Sequence, residues 1–156
     1  MSAVISPCGN YRYLLQREWL IGYGAALFVM LNPSTADAAQ DDPTIRRCVG
    51  FAKSWGCGML EVVNLYAFRA TKPVDMFAAI DPVGPANDSH IAAAAHRAKI
   101  IVAAWGASAK ADRASAVLRN LSDHAVHALG VTNNGSPRHP LYLRSDARLI
   151  QFGESP

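Results

Sequence analysis

Two asparagines, a histidine and an arginine stand where apolar runs of this chain give way to loops. Asn32 precedes a proline in FVMLNPSTAD (residues 28–37), Asn64 and Arg69 fall in VVNLYAFRAT, and His139 precedes another proline in PRHPLYL. A chain that only had to reverse would use Asn-Gly or Asp-Gly, whose glycine accepts positive φ. Pro33 instead fixes the backbone beside Asn32 and can aim its amide at a rim rather than at local main chain. An amide next to a histidine suits cleavage at a glycosidic carbon, where the sugar becomes oxocarbenium-like and the departing base gains negative charge. In that chemistry Asn32 holds the attacking water, His139 donates a hydrogen bond to the base, and Asn64 reads a nucleobase edge. Each also has an ordinary reading: backbone satisfaction at a strand end for Asn32, a turn closure for Asn64, a main-chain bond for His139.

Other chemistries find less support. No G-x-x-x-x-G-K-[ST] or G-x-G-x-x-G pattern accompanies Gly106 and Ser108, so a P-loop or dinucleotide fold is not indicated. His90 and His96 lie six apart, H-E-x-x-H is absent, and Cys8, Cys48 and Cys57 form no C-x-x-C pair. Asp37, Asp41 and Asp42 could hold a magnesium ion, but Asp42 is better explained as a helix cap. The expectation is no metal and no cofactor.

The chain has 156 residues, 51% of them apolar, and a net charge of +3. That is enough for one compact α/β domain over residues 1–156, mildly basic, able to touch phosphates without being built for them. Its apolar runs fall short of the roughly 20 residues that cross a bilayer, and the N-terminus lacks the charged and apolar regions of a secretion signal. A cytoplasmic protein with no membrane partner is expected, its thiols reduced.

The elements that must position these residues follow from periodicity. YRYLLQREWL reads as an edge strand and AALFVML as a central strand that stops at Asn32 because proline follows. DDPTIRRCVGFAKSWG predicts a helix with Asp42 as N-cap and Pro43 in its first turn. One helix face is apolar; the other carries Arg46, Arg47 and Lys53, a solvated stripe or a phosphate contact. MLEVVNLYAF gives a second core strand, TKPVDMFAAI a short helix, and GPANDSHIAAAAHRAK a helix with Asn87 and Asp88 as cap candidates. IIVAAWGAS is a third strand, ADRASAVLRNLSDH a helix, HALGV a fourth strand, and LYLRSDARLIQF a tail that could hold a last one. Alternation of this kind implies a three-layer sandwich with a mostly parallel sheet of about four or five strands. Ligands of such sheets sit beyond the carboxyl ends of the strands. The residues there are Asn32 to Asp37, Asn64 to Arg69, Gly106 to Ser108 and Asn133 to Tyr142.

The order Asn32-Pro33, Asn64 to Arg69 and Thr71, Trp105-Gly106, then His139-Pro140 resembles the motif order of the uracil-DNA glycosylase superfamily, especially its mismatch-specific branch. The resemblance implies a first motif that orients water, a strand-end asparagine that contacts the base, and a late His-Pro motif that stabilises the leaving base. It departs where Met30 and Ser34 replace two glycines, and where Leu141 and Tyr142 replace serine and proline. Those two could form a wedge or stacking platform, or belong to the core. At closer range MLNPSTADA, DDPTIRRC, VVNLYAFRAT, DPVGPAND, AAWG and PRHPLYL resemble, over nearly the whole chain, a bacterial and phage family catalogued as domain of unknown function 1643.

Three readings stay open. The first is a metal-independent enzyme of glycosylase-like fold, acting on a nucleobase in DNA, RNA or a nucleotide in repair or modification. Asn32 and His139 would be catalytic, with Pro33, Ser34, Asp37, Asp41, Asn64, Arg69, Trp105, Gly106, Arg138 and Tyr142 around the substrate. The second is a non-catalytic nucleic-acid or nucleotide binder whose Arg46, Arg47, Lys53, Arg69 and Arg138 contact phosphates. The third is an accessory protein in base modification, with Asp37, Asp41 and His139 as acid and base.

Overall fold

The computed structural model describes residues 2–34 and 36–153. Seven strands form one mixed sheet: β1 (Ser2–Ile5), β2 (Arg12–Glu18), β3 (Ala25–Met30), β4 (Met59–Asn64), β5 (Ile100–Ala103), β6 (Val126–Ala128) and β7 (Ile150–Gln151), in the order β1-β2-β4-β3-β5-β6-β7. The inner four, β4-β3-β5-β6, are parallel. The outer pairings are antiparallel. The expected four or five mostly parallel strands are therefore the middle of a wider mixed sheet. Periodicity alone did not reveal β1, which has four residues, while β7, with two, falls in the tail that was expected to be able to hold a last strand. β1 also takes the edge expected for β2, which lies one place inward.

Among the described residues four α-helices connect the strands: α1 (Pro43–Ser54), α2 (Pro73–Phe77), α3 (Asn87–Arg97) and α4 (Ala111–Asn120). Alternate strand residues bury on opposite faces, as the two-residue repeat demands. Phe28, Leu60, Val62 and Val102 pack with Ile45, Cys48, Phe51 and Ala52 of α1. Leu27, Val29, Val63 and Ile101 pack with Ile91, Ala94 and Ala95 of α3 and Val117 of α4. Helices thus cover both faces, and β3 is buried along its whole length. Among the described residues no helix is long and apolar enough to cross a membrane. All three thiols are free, Cys48 and Cys57 buried and Cys8 exposed.

α1 starts as its sequence requires. Asp42 caps it, its carboxylate accepting from the Ile45 N–H at 2.9 Å, and Pro43 occupies the first turn, where no donor is needed. α3 differs from expectation. Neither Asn87 nor Asp88 is its cap; Ala86 is, without a side-chain bond. Asn87 is drawn inward instead, fully buried, and donates from Nδ2 to the carbonyls of Asn64 (2.9 Å) and Leu65 (3.1 Å).

β2 carries an irregularity that bears on the site. Val4 lies opposite Leu14 but Ile5 opposite Arg12, so Tyr13 is an extra residue in β2, a β-bulge. A bulge reverses the alternation beyond it. Arg12 is thereby returned to the face shared by Leu15 and Arg17, the face covered by α1.

Candidate functional site

Where β3, β4 and β5 end, the sheet opens into a hollow of about 400 Å³. Asn64 reaches it as the last residue of β4, paired in register with Met30 of β3. The main chain beyond both strands stays in step: Leu65 donates to the Met30 carbonyl and Ala70 to that of Pro33. Asn32 completes this join, its Nδ2 donating to the carbonyls of Ala70 (2.8 Å) and Pro33 (3.1 Å). The Asn-Pro step thus ties two loops together, and its amide nitrogen does bond local main chain, contrary to expectation. Oδ1 makes no bond to any described residue and remains available as an acceptor.

Beyond β5 the chain turns at Gly106, whose φ of +77° a side chain would strain, and whose N–H donates to the Pro137 carbonyl at 2.8 Å. That bond anchors the segment carrying His139. His139 Nδ1 accepts from the Leu141 N–H at 3.2 Å, opening a short 3₁₀ turn (Pro140–Tyr142). In the neutral ring the proton must then sit on Nε2, a donor without a partner among the described residues. Burial lowers the His139 pKa, against a weaker opposing pull from Asp42. The neutral form is favoured.

The floor holds two polar groups without adequate partners. Asn64 is 1% exposed, and neither its Nδ2 nor its Oδ1 has a hydrogen bond to a described residue. Arg12 is 3% exposed; it donates from Nη1 to the Ala36 carbonyl at 2.7 Å, while its Nε is buried with no acceptor among the described residues. Burial pushes the Arg12 pKa down to about 10, with Asp42 opposing. The side chain is still charged near neutrality. Asp42 also lines the hollow, one oxygen on the Ile45 N–H and the other accepting from the Ser34 hydroxyl at 3.0 Å.

Of the residues singled out from sequence, Asn32, Ser34, Asn64, Trp105, Gly106, His139 and Tyr142 line this hollow. Trp105 turns its ring edge-on to Phe152 in the core. Tyr142 (75% exposed) stands 5.7 Å from the His139 ring, and Leu141 is also exposed, so neither belongs to the core.

The remaining residues lie outside the lining. Pro33 is buried, and its carbonyl serves the loop join. Asp37 accepts from the Ala39 and Gln40 N–H groups, which lower its pKa. Asp41 pairs with Arg17 at 2.7 Å. Arg69 and Arg138 reach the carbonyls of Gly9 and Tyr142. Arg46 reaches the Asp41 carbonyl, while Arg47 and Lys53 sit over the rings of Phe51 and Trp19. Aromatic faces already hold part of that basic stripe.

Sequence reasoning missed Arg12 and Thr44 in the lining, named Thr71 only within a motif order, and preferred a cap to a metal ligand for Asp42. Arg12 had one available signal: RYLLQR sets two arginines five apart around apolar residues in a strand. Strict alternation would put them on opposite faces. Only the bulge puts them on one.

These features define a mixed α/β protein with a polar hollow at the carboxyl ends of its central strands. The family model described as "Protein of unknown function (DUF1643)" matches residues 12–141, and the chain belongs to that family. No curated protein and no solved structure matches the chain.

Proposed function

We propose that the hollow binds a nucleobase and that the chain is a glycosylase-like enzyme, its sheet and helices a variant of the uracil-DNA glycosylase sandwich, hydrolysing an N-glycosidic bond in a nucleic acid or nucleotide. The observation that carries this reading is the convergence of Asn64, with both amide atoms buried and unbonded, with Asn32 Oδ1 and the His139 Nε2–H donor on one hollow. A planar heterocycle with an adjacent donor and acceptor would satisfy the Asn64 amide, whose burial without partners otherwise costs about 1–3 kcal/mol.

The chemistry follows from the free atoms. Asn32 Oδ1 accepts a hydrogen bond from a water and turns its lone pair toward the glycosidic carbon. The C–N bond breaks as the C–O bond forms, and the base leaves with the bonding pair. His139 Nε2–H stabilises that developing anion, which finally takes up the proton released by water. Tyr142 at the mouth offers an aromatic face for stacking. The reaction needs no metal in this reading.

The test is a mass-spectrometric search for free bases after incubation with modified and unmodified oligonucleotides and with nucleotides. For any substrate found, Asn32→Ala and His139→Ala should each lower turnover by on the order of a hundredfold, as expected for a transition-state contact. Thermal melting controls for the loop join that Asn32 also makes. Turnover within a few-fold of wild type in the folded variants would reject these roles. Binding without product would leave a nucleobase binder.

A further inference from the structure

The basic stripe on α1 is the obvious place for a phosphate, yet none of its residues lines the hollow. Arg12 does. Its guanidinium has five N–H donors, and among the described residues the Ala36 carbonyl is its one acceptor. Nε is enclosed with none among those residues. The chain reaches this arrangement by a specific device, the bulge at Tyr13 that re-aims Arg12 toward α1.

The surroundings point to the class of group that would complete it. α1 begins at the hollow, with Asp42, Thr44 and Ile45 in the lining, so the positive end of a 12-residue helix faces the same space. Ser34, Thr44 and Thr71 also line it. Asp42 is the opposing charge, but both its oxygens already accept bonds, from the Ile45 N–H and the Ser34 hydroxyl. It does not bring Arg12 back to the ordinary arginine range, since burial still outweighs it. A planar fork of donors with unused capacity matches a phosphate. The hollow, about 400 Å³, is within the range of sites that enclose a ligand larger than one flat ring.

We infer that Arg12 forms a phosphate subsite inside this hollow, so that its ligand is a nucleoside phosphate with the base at Asn64 and the phosphate at Arg12. The inference rests on the nucleobase reading for the first half and on Arg12 alone for the second. The same phosphate can belong to a free mononucleotide or to the end of a polynucleotide strand.

Calorimetry on the full chain separates these statements. The probes are the four common ribonucleoside monophosphates, their nucleosides, ribose phosphate, inorganic phosphate and a short, terminally phosphorylated single-stranded DNA. For at least one base, the monophosphate should bind at least about tenfold more tightly than its nucleoside. Arg12→Gln should remove that advantage and leave nucleoside binding unchanged. Wild-type protein that binds nucleoside and monophosphate within about twofold overturns the phosphate subsite while leaving the nucleobase reading intact. That comparison needs no variant to fold. Binding of ribose phosphate as tight as any nucleotide, unaffected by Asn64→Ala, overturns the base half and keeps the Arg12 subsite. DNA binding that depends on its terminal phosphate assigns the subsite to a strand end; exclusion of DNA with retention of the mononucleotide assigns it to free nucleotide. Failure of every phosphate-bearing probe to bind overturns the inference.

Discussion

Arg12 and Arg17 occupy the two ends of one strand, are equally buried and hold the same loop, yet they do different work. Arg17 is fully engaged: Nε pairs with Asp41, Nη1 donates to the Gln16 carbonyl, and Nη2 donates to the carbonyls of Asp37 and Gln40. Among the described residues Arg12 has a single side-chain bond and an enclosed, idle Nε. The same contrast recurs between two asparagines. Asn87 gives both N–H groups of its amide to the end of β4, leaving only its Oδ1 without a partner among the described residues, whereas Asn64, at that end, has neither amide atom bonded to them. Arg17 and Asn87 spend their donors on the main chain and build the walls, whereas Arg12 and Asn64 line the hollow. Burial alone distinguishes neither pair, and only the partner inventory does.

The contrast predicts opposite consequences of mutation. Arg17→Ala should have the largest effect on stability, about 3 kcal/mol, because it strips a buried, charge-assisted network from the loop between β3 and α1. Arg12→Gln removes one bond and a buried charge together, so it should change stability by about 1 kcal/mol or less. Urea unfolding of the two variants measures the difference. Equal losses would mean that Arg12 is as structural as Arg17.

The asparagine pair should show a smaller version of the same split. Asn87→Ala leaves the Asn64 carbonyl without its donor, although Arg113 Nε still serves Leu65 at 2.8 Å, and should cost about 2 kcal/mol. Asn64→Ala removes an amide with no partner to lose. A change of about 1 kcal/mol or less, of either sign, is expected. A severe loss at Asn64 would show that its amide supports the fold and is not held free for a ligand.

Much of this was legible in the sequence because the signals were local. Continuous apolar runs announced β3, β4 and β5, and Asp42-Pro43 announced the start of α1. Strand-end logic also brings Asn32, Asn64 and His139 to one rim. What was not legible depended on distant partners. The role of Asn87 follows from where β4 ends in space, so a cap was the natural local reading. The direction of Arg12 follows from a bulge that is visible only against β1, a strand too short to recognise. The α1 stripe misled for a related reason: Arg47 and Lys53 look free on a helical wheel, but Phe51 and Trp19 lie beneath them.

The last and smallest effect concerns the one hollow residue whose charge can change near neutrality. His139 Nδ1 accepts from the Leu141 N–H, so protonation of the ring breaks that bond and destroys the tautomer that leaves Nε2–H as donor. Burial holds the folded pKa below the usual value of about 6.5, with Asp42 opposing. Between the folded and unfolded values the unfolded chain binds more protons. Stability therefore falls as pH drops through about 6.5 and levels off once the folded ring is also protonated. His139→Asn keeps a side-chain acceptor for the Leu141 N–H but does not titrate. The stability advantage of wild type over this variant should grow as pH rises from about 5.5 to 7.5, and urea midpoints across that window test it. An advantage that stays constant, or shrinks as pH rises, would mean that the ring is not held neutral in the folded protein, and the Nε2–H donor on which base departure depends would be lost with it.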